Sequence, residues 1–272
     1  MAHTEAKGTA LVTGASSGIG KVYAQRLAAR GYDLVIVARN KGRLDDLAAD
    51  LARSTGRKVD VLAADLGKRD DVRRVAERIR DDAAITLLVN NAGSGTEGPV
   101  LGADIDRIEA MVDLNVVALN RLAVTAVNAF SARGKGTLVN VASVVAFVSD
   151  HFLGAYAGTK AFVLGLTQSL QSELKDTPVR VQAVLPGYTR TEFFGSAGIA
   201  EQQIPAEMMM SAEDLVDAAL AGLDQGELIT IPSMPDVKVF EAYDAARLAM
   251  VPDLSRDRPA ARYGIKDDAV AA

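Results

Sequence analysis

Cysteine is absent from the 272-residue chain, and histidine occurs only as His3 and His151. Without a thiol there can be no disulfide, no thiolate-held metal and no cysteine nucleophile. Two histidines leave little material for a histidine-rich metal centre or a Ser-His-Asp triad, so no metal site is expected. An excess of one charge is also missing. Thirty basic and 35 acidic side chains give a net charge of −5, scattered along the chain, which excludes the basic footprint of a nucleic-acid-binding protein. No uncharged apolar run approaches the ~18 residues of a membrane span. The stretch from Met1 to Gly8 has no signal-peptide core. A cytoplasmic protein with neither membrane nor nucleic acid as partner is the expectation.

What the chain does have is 49% hydrophobic and 24% charged residues, enough for a sizeable core under an ordinary hydrated surface. Short apolar, β-branched runs at 9–13, 33–38, 59–64, 85–90, 136–142, 179–185 and 228–231 read as strands. Between them lie segments with helical spacing: Val22, Leu27 and Ala28, closed by Gly31; Leu44, Leu47 and Leu51; Val72, Val75 and Ile79; a long helix over about 104–130; and Phe162, Leu166, Leu170 and Leu174. This alternation predicts an α/β fold, a doubly wound parallel sheet of about seven strands with helices on both faces. No linker divides the chain, so a single domain over 1–272 is expected. After Pro186-Gly187 the rhythm breaks. Residues 188–212, with Phe193, Phe194 and Met208–Met210, read as an apolar lid, partly core, and 252–272 as a surface tail.

Ser143 to Lys160 is the stretch with chemical promise. Tyr156 and Lys160 lie four apart on a helix starting near Tyr156, hence on one face. Ser143 falls at the carboxyl end of the preceding strand, where open α/β sheets bind ligands. A free phenol ionises near pH ~10, and a neighbouring cation favours the phenolate. A tyrosine beside a lysine, with a hydroxyl to hold a carbonyl oxygen, is therefore suited to proton transfer. Gly14-x-x-x-Gly18-x-Gly20, between the first strand and its helix, places backbone N–H groups and a helix N-terminus where a pyrophosphate can bind. Each of these patterns is common when taken alone.

Together, Thr13-Gly-Ala-Ser-Ser-Gly-Ile-Gly20, Asn90-Asn-Ala-Gly93, Asn115, Ser143, Tyr156-x-x-x-Lys160 and Pro186-Gly187 occur in one order, and in this the chain resembles the short-chain dehydrogenase/reductase family in its compact form, over about residues 7–195. The resemblance implies a Rossmann domain and an oxidoreductase moving hydride between a nicotinamide and a carbonyl or secondary alcohol carbon. It makes Tyr156 the general acid or base, Lys160 the group that lowers its pKa and holds the nicotinamide ribose, and Ser143 the holder of the substrate oxygen. Asn115 would fix a water beside Lys160. The cofactor would lie along Gly14, Ser16, Ser17, Gly18, Ile19 and Gly20, then Asp65 and Leu66, Asn91, Ala92 and Gly93, and Pro186, Gly187, Thr189 and Thr191. Val145, Phe147, Phe152, Tyr188, Phe193 and Phe194 would line an apolar substrate pocket, with His151 on its wall. A homodimer or homotetramer is implied by the same analogy.

Cofactor choice has a physical argument. An NAD site places a carboxylate at the end of the second strand to bind the ribose 2′-hydroxyl. Here Ala38 stands there, followed by Arg39, Asn40 and Arg43, and an arginine can hold a 2′-phosphate bidentately. NADP(H) is therefore expected over NAD(H), although Ser17 occupies the place of a basic residue found in some NADP-dependent relatives. The alternatives are a non-catalytic dinucleotide-binding sensor or scaffold, and an epimerase or dehydratase with a tightly held NAD.

Overall fold

The computed structural model describes residues 7–95, 100–149, 154–197 and 204–265. The chain divides into two compact units, Met1–Ser233 and Met234–Ala272.

In the larger unit the apolar runs form strands β1 (Thr9–Thr13), β2 (Asp33–Ala38), β3 (Val59–Ala63), β4 (Ile85–Asn90), β5 (Gly136–Val141) and β6 (Val179–Val184). Helices α1 (Gly18–Ala29), α2 (Lys41–Thr55), α3 (Arg69–Asp81), α4 (Ile105–Val112), α5 (Leu119–Arg133) and α6 (Gly154–Glu173) alternate with them. The main sheet has seven strands in the order β3-β2-β1-β4-β5-β6-β9, where β9 is Ile229–Thr230, and every pairing is parallel. Central strands run continuously apolar because both of their faces are covered: Leu34 to Ala38 of β2 are all buried. Strand order reverses between β1 and β4, which opens a crevice at their carboxyl ends. This is the doubly wound sheet expected from the alternation.

One face of the sheet packs α1, α2 and α8 (Ala212–Gln225) through Tyr23, Leu27, Leu44, Leu47, Leu215 and Leu220. The other packs α3 and α5 through Val75, Ile79, Leu122, Ala126 and Phe130. On length and composition, Ile105–Arg133 is long and apolar enough to cross a membrane. Its apolar side is the wall of this second core layer, and Arg121 interrupts its apolar run.

Helix 105–133 differs from the uninterrupted helix expected over 104–130. Between α4 and α5, Asp113–Ala118 forms a π-helical segment. Such a segment inserts an extra residue and releases a carbonyl from the regular ladder. The Asn90 side-chain amide, at the end of β4, donates to Leu119 O at 2.9 Å. The bulge is thus supported from the neighbouring strand.

Residues 188–212 are anchored at both ends by a two-stranded parallel ribbon, β7 (Thr189–Arg190) with β8 (Met210–Ser211), reinforced by Met210 N donating to Tyr188 O at 3.0 Å. Helix α7 (Phe193–Ala197) lies between them, and residues 198–203 fall outside the described part. The apolar content of this segment is divided. Phe194 is buried and Met210 packs on the core beside α8, whereas Met208 is exposed.

The smaller unit carries α9 (Val237–Ala249), whose N-terminus is capped by the Asp236 carboxylate accepting from Lys238 N at 3.0 Å. Short helical turns follow at Val251–Asp253 and Ala261–Tyr263. The apolar residues of α9, among them Val237, Val239, Phe240, Tyr243 and Leu248, are spread around the helix rather than along one stripe. Periodicity therefore gives no signal for it.

Candidate active site

The end of β5 and the first turns of α6 bring Ser143, Tyr156 and Lys160 together. Extended backbone at Ser143, with φ −171° and ψ 156°, leads from β5 into a short turn at Val144–Ala146. The Ser143 Oγ is 3.3 Å from Pro186 O, toward which it can donate, and is offered the Val145 N–H at 3.4 Å. Val144 N donates to Pro186 O at 3.0 Å. Pro186-Gly187 thereby braces the serine loop from the end of β6. Tyr156 and Lys160 share one face of α6. The Ser143 hydroxyl acts on the Tyr156 phenol and favours its ionised form, and the Lys160 ammonium lies 5.8 Å from the centre of the tyrosine ring.

Burial dominates the electrostatics of this group. It drives the Tyr156 phenol above its ordinary value, and the Ser143 hydrogen bond only partly opposes the rise. Desolvation lowers Lys160 to about 8. The expectation that Lys160 depresses the tyrosine pKa is therefore not met. Its Nζ donates to Val141 O at 3.0 Å instead, and the shift at the phenol comes chiefly from loss of hydration. Both shifts favour the uncharged forms, as burial away from water does.

Asn115 sits in the π segment and is almost fully buried. Its Oδ1 accepts from Ser94 N at 2.9 Å, and its Nδ2 donates to Ser94 O at 2.8 Å and Thr159 Oγ1 at 3.1 Å. Thr159 in turn donates to Tyr156 O at 2.7 Å. One amide thus connects the bulged helix, the loop after β4 and the helix bearing Tyr156 and Lys160. Gly93 must stay small here, because a Cβ would lie 3.1 Å from Asn115 Oδ1. Asn90 and Thr13, which open two of the motifs without a role assigned to them, and Thr159 are supports of the site. Thr13 Oγ1 accepts from both Asn91 N (2.9 Å) and Ala92 N (3.0 Å), while Asn91 Nδ2 donates to Thr13 O at 2.9 Å. The signal available for Thr159 was its position, three residues after Tyr156 on the same helix.

The glycine loop forms the other half of the crevice. Gly14 and Gly18 have φ of +69° and +51°, conformations that cost other residues energy. A Cβ on Gly20 would collide with Gly14 O and the Asn91 amide. The close packing brings the N-terminus of α1 against the end of β1. The Ser17 side chain does not cap α1, so the first-turn N–H groups around Gly18 and Ile19 remain available to an anion. This is a cradle that fits a pyrophosphate, with Ser16 beside it. Thr191 packs over it, 3.1 Å from where a Gly18 Cβ would be. Thr189 is buried and donates to Gly187 O at 3.1 Å.

Residues placed at the adenosine end divide by role. Arg39 is exposed and makes no ion pair with another described residue. Asn40 caps α2, its Oδ1 accepting from Arg43 N at 3.1 Å, and so serves the helix. Arg43 is paired with Glu192 at 2.7 Å. Asp65 closes a turn by accepting from Gly67 N at 3.1 Å, and its N–H donates to Asp71 Oδ2 at 2.7 Å. It does not cap α3, whose N-cap is Lys68. Leu66 is buried.

Aromatic residues close the substrate side. Phe193 lies 5.7 Å from Tyr156 and meets Phe194 edge-on at 5.8 Å, and Phe194 is 6.0 Å from Tyr188. Val145 is buried, and Phe147 packs on the small apolar cluster around Val163 and Leu185. Phe152 and His151 lie outside the described residues.

The geometry has matches among known proteins. Residues 8–202 match the model of the short chain dehydrogenase family. A short-chain dehydrogenase from Sphingobium yanoikuyae, solved in complex with NADPH, is 45% identical with a TM-score of 0.91, over 94% of this chain and 99% of that one. The bulky-bulky ketone specific alcohol dehydrogenase from Comamonas testosteroni is 41% identical with a TM-score of 0.88, over 95% of this chain and 99% of that one. The very-long-chain 3-oxoacyl-CoA reductase of Anas platyrhynchos is 33% identical over 190 residues, covering 67% of this chain and 60% of that protein. The chain spans less than two thirds of that curated relative's length. With the parallel sheet, the glycine cradle and the Ser143–Tyr156–Lys160 cluster in place, the chain belongs to the short chain dehydrogenase family.

Proposed function

We propose that this protein is an NADP(H)-dependent oxidoreductase that interconverts a hydrophobic ketone and its secondary alcohol. The observation carrying the proposal is the Tyr156–Lys160 pair on one helical face, with the lysine buried 5.8 Å from the tyrosine ring and the buried Ser143 hydroxyl at the end of the preceding strand. A nicotinamide, when bound, supplies hydride to the carbonyl carbon or accepts it from the carbinol carbon. Tyr156 gives its phenolic proton to the carbonyl oxygen in reduction and takes it back in oxidation. The high phenol pKa suits the donor role, since the acid arrives protonated. Ser143 holds the substrate oxygen beside the phenol. Lys160, near 8, carries its proton below that pH and can then return one toward Tyr156, and Asn115 fixes the surroundings of Lys160.

Further support for NADP(H) comes from Ala38 standing where an NAD site has a carboxylate, with Arg39 next to it and without an ion pair among the described residues, and from the NADPH-bound Sphingobium relative. Tyr188, Phe193 and Phe194 form an apolar aromatic wall. That wall and the likeness to a bulky-bulky ketone specific enzyme support a ketone with large apolar groups on both sides. Residues 188–212 act as its lid, within a single catalytic domain. Exposed Val117, Val124 and Phe162 on the helices of one face support a homodimer or homotetramer, and we assign the protein to the cytoplasm. No observation favours a non-catalytic sensor.

The test is NADPH and NADH consumption in parallel against bulky aryl and alkyl ketones, with Tyr156→Phe as control. Ketone-dependent NADPH oxidation that the control lacks is expected. Equal rates in the variant, or a preference for NADH, would overturn the respective part of the proposal.

A further inference from the structure

Arg43 and Glu192 are 149 residues apart in sequence, yet their side chains meet at 2.7 Å. Arg43 stands on the first turn of α2, beyond β2. Glu192 follows the β7 strand, at the foot of the 188–212 segment. Its neighbour Thr191 packs against Gly18. The ion pair therefore spans the nucleotide crevice, from the adenosine-phosphate side to the segment over the pyrophosphate cradle. Each side chain retains about half or more of its exposure, 51% for Arg43 and 65% for Glu192. A pair this wet is held weakly and exchanges readily.

Resting on the NADP(H) reading above, we infer that Glu192 is a positioning residue that tunes cofactor discrimination through Arg43. With the crevice empty, the carboxylate holds the Arg43 guanidinium. A ribose 2′-phosphate offers the same guanidinium a doubly charged partner in bidentate geometry, and takes it from Glu192. A ribose 2′-hydroxyl makes no such offer, so NAD(H) binds with the pair closed. Breaking the pair is a cost borne by NADP(H) alone. Arg39, which has no ion-pair partner to give up among the described residues, supplies the constant part of phosphate recognition.

Binding of NADP⁺ and NAD⁺ is to be measured by calorimetry on the wild-type protein, Glu192→Gln, Arg43→Ala and the double variant. The positions are exposed, and thermal unfolding of each variant checks that the fold is intact. Glu192→Gln is expected to tighten NADP⁺ about threefold, the scale of an exposed ion pair, with NAD⁺ unchanged. In the Arg43→Ala background the same substitution should have no effect on NADP⁺. Tightening that persists without Arg43 reflects only the removed negative charge and overturns the inference. So does a weaker NADP⁺ complex in Glu192→Gln, or an equal change for both cofactors. Wild-type protein that binds NAD⁺ as tightly as NADP⁺ would instead remove the NADP(H) reading, and the inference with it.

Discussion

The two ends of the crevice are built differently. At the nicotinamide end, Asn115, Ser143, Thr159 and Lys160 are buried, and their polar atoms are satisfied by named partners within the chain. At the adenosine end, Arg39, Asn40 and Arg43 are exposed, and one of the arginines is lent to Glu192. Proton and hydride transfer tolerate little misplacement, and in a poorly hydrated site each polar contact counts for more. Recognition of a phosphate's charge works at longer range and can operate in water. Buried, hydrogen-bonded groups are concentrated where the proposal places the chemistry, and an exposed, exchangeable ion pair where it places cofactor selection.

The comparison is broken most severely by removing the phenol. Tyr156→Phe is expected to lower kcat by about 10²- to 10⁴-fold, the usual contribution of a positioned acid or base, with NADP⁺ affinity within about twofold. A large loss of affinity would mean that the ring mainly holds the cofactor. Asn115→Ala strands the Ser94 N–H and C=O and removes one of the two hydrogen bonds of the Thr159 hydroxyl. It should lower kcat by about tenfold and cost about 1–3 kcal/mol of stability in urea unfolding, because the same amide joins three elements. A kcat unchanged despite the lost stability would confine Asn115 to a structural role.

At the exposed end, effects should be selective instead. Arg39→Ala is expected to weaken NADP⁺ about tenfold, consistent with losing one charge-assisted hydrogen bond, and to leave NAD⁺ and thermal stability unchanged. The smallest effect concerns pH. Lys160 stands at about 8 in the folded chain against an ordinary 10.5, so between those values the unfolded chain holds a proton that the folded one does not. Stability should then gain a rising contribution from about pH 8 upward. The gain is offset above pH 10, where Tyr23 and Tyr156, both raised by burial above the ordinary 10.0, begin to favour the unfolded chain. Melting temperatures from pH 7.5 to 9.5 should rise less in Lys160→Met than in the wild type. Identical slopes would show that the lysine does not titrate there.

The sheet was legible because strands buried on both faces are written as unbroken apolar runs, such as Asp33-Leu-Val-Ile-Val-Ala38. The proton-handling residues were legible because Tyr156 and Lys160 share a helical face and Ser143 ends a strand. The π segment was not, since Asp113–Ala118 carries no local breaker; its bulge is stabilised by Asn90 from another element. Asn40, chosen from its place after β2, also caps α2, a role that Asn commonly fills where a chain enters a helix. The Arg43–Glu192 pair depends on a fold that brings position 192 beside position 43. The direction of the Tyr156 shift depends on burial, which spacing does not reveal. The spread of apolar residues around α9 concealed that helix from periodicity altogether.

The most direct test of the account follows the hydrogen. Incubation with a bulky aryl ketone and NADPH deuterated on the transferring face of nicotinamide C4, with each face labelled in turn, should yield an alcohol carrying one deuterium at the carbinol carbon for one of the two labels. Product formation should collapse in Tyr156→Phe. Alcohol formed without deuterium from either label, or formed equally well by the variant, would contradict hydride transfer with Tyr156 as the proton carrier.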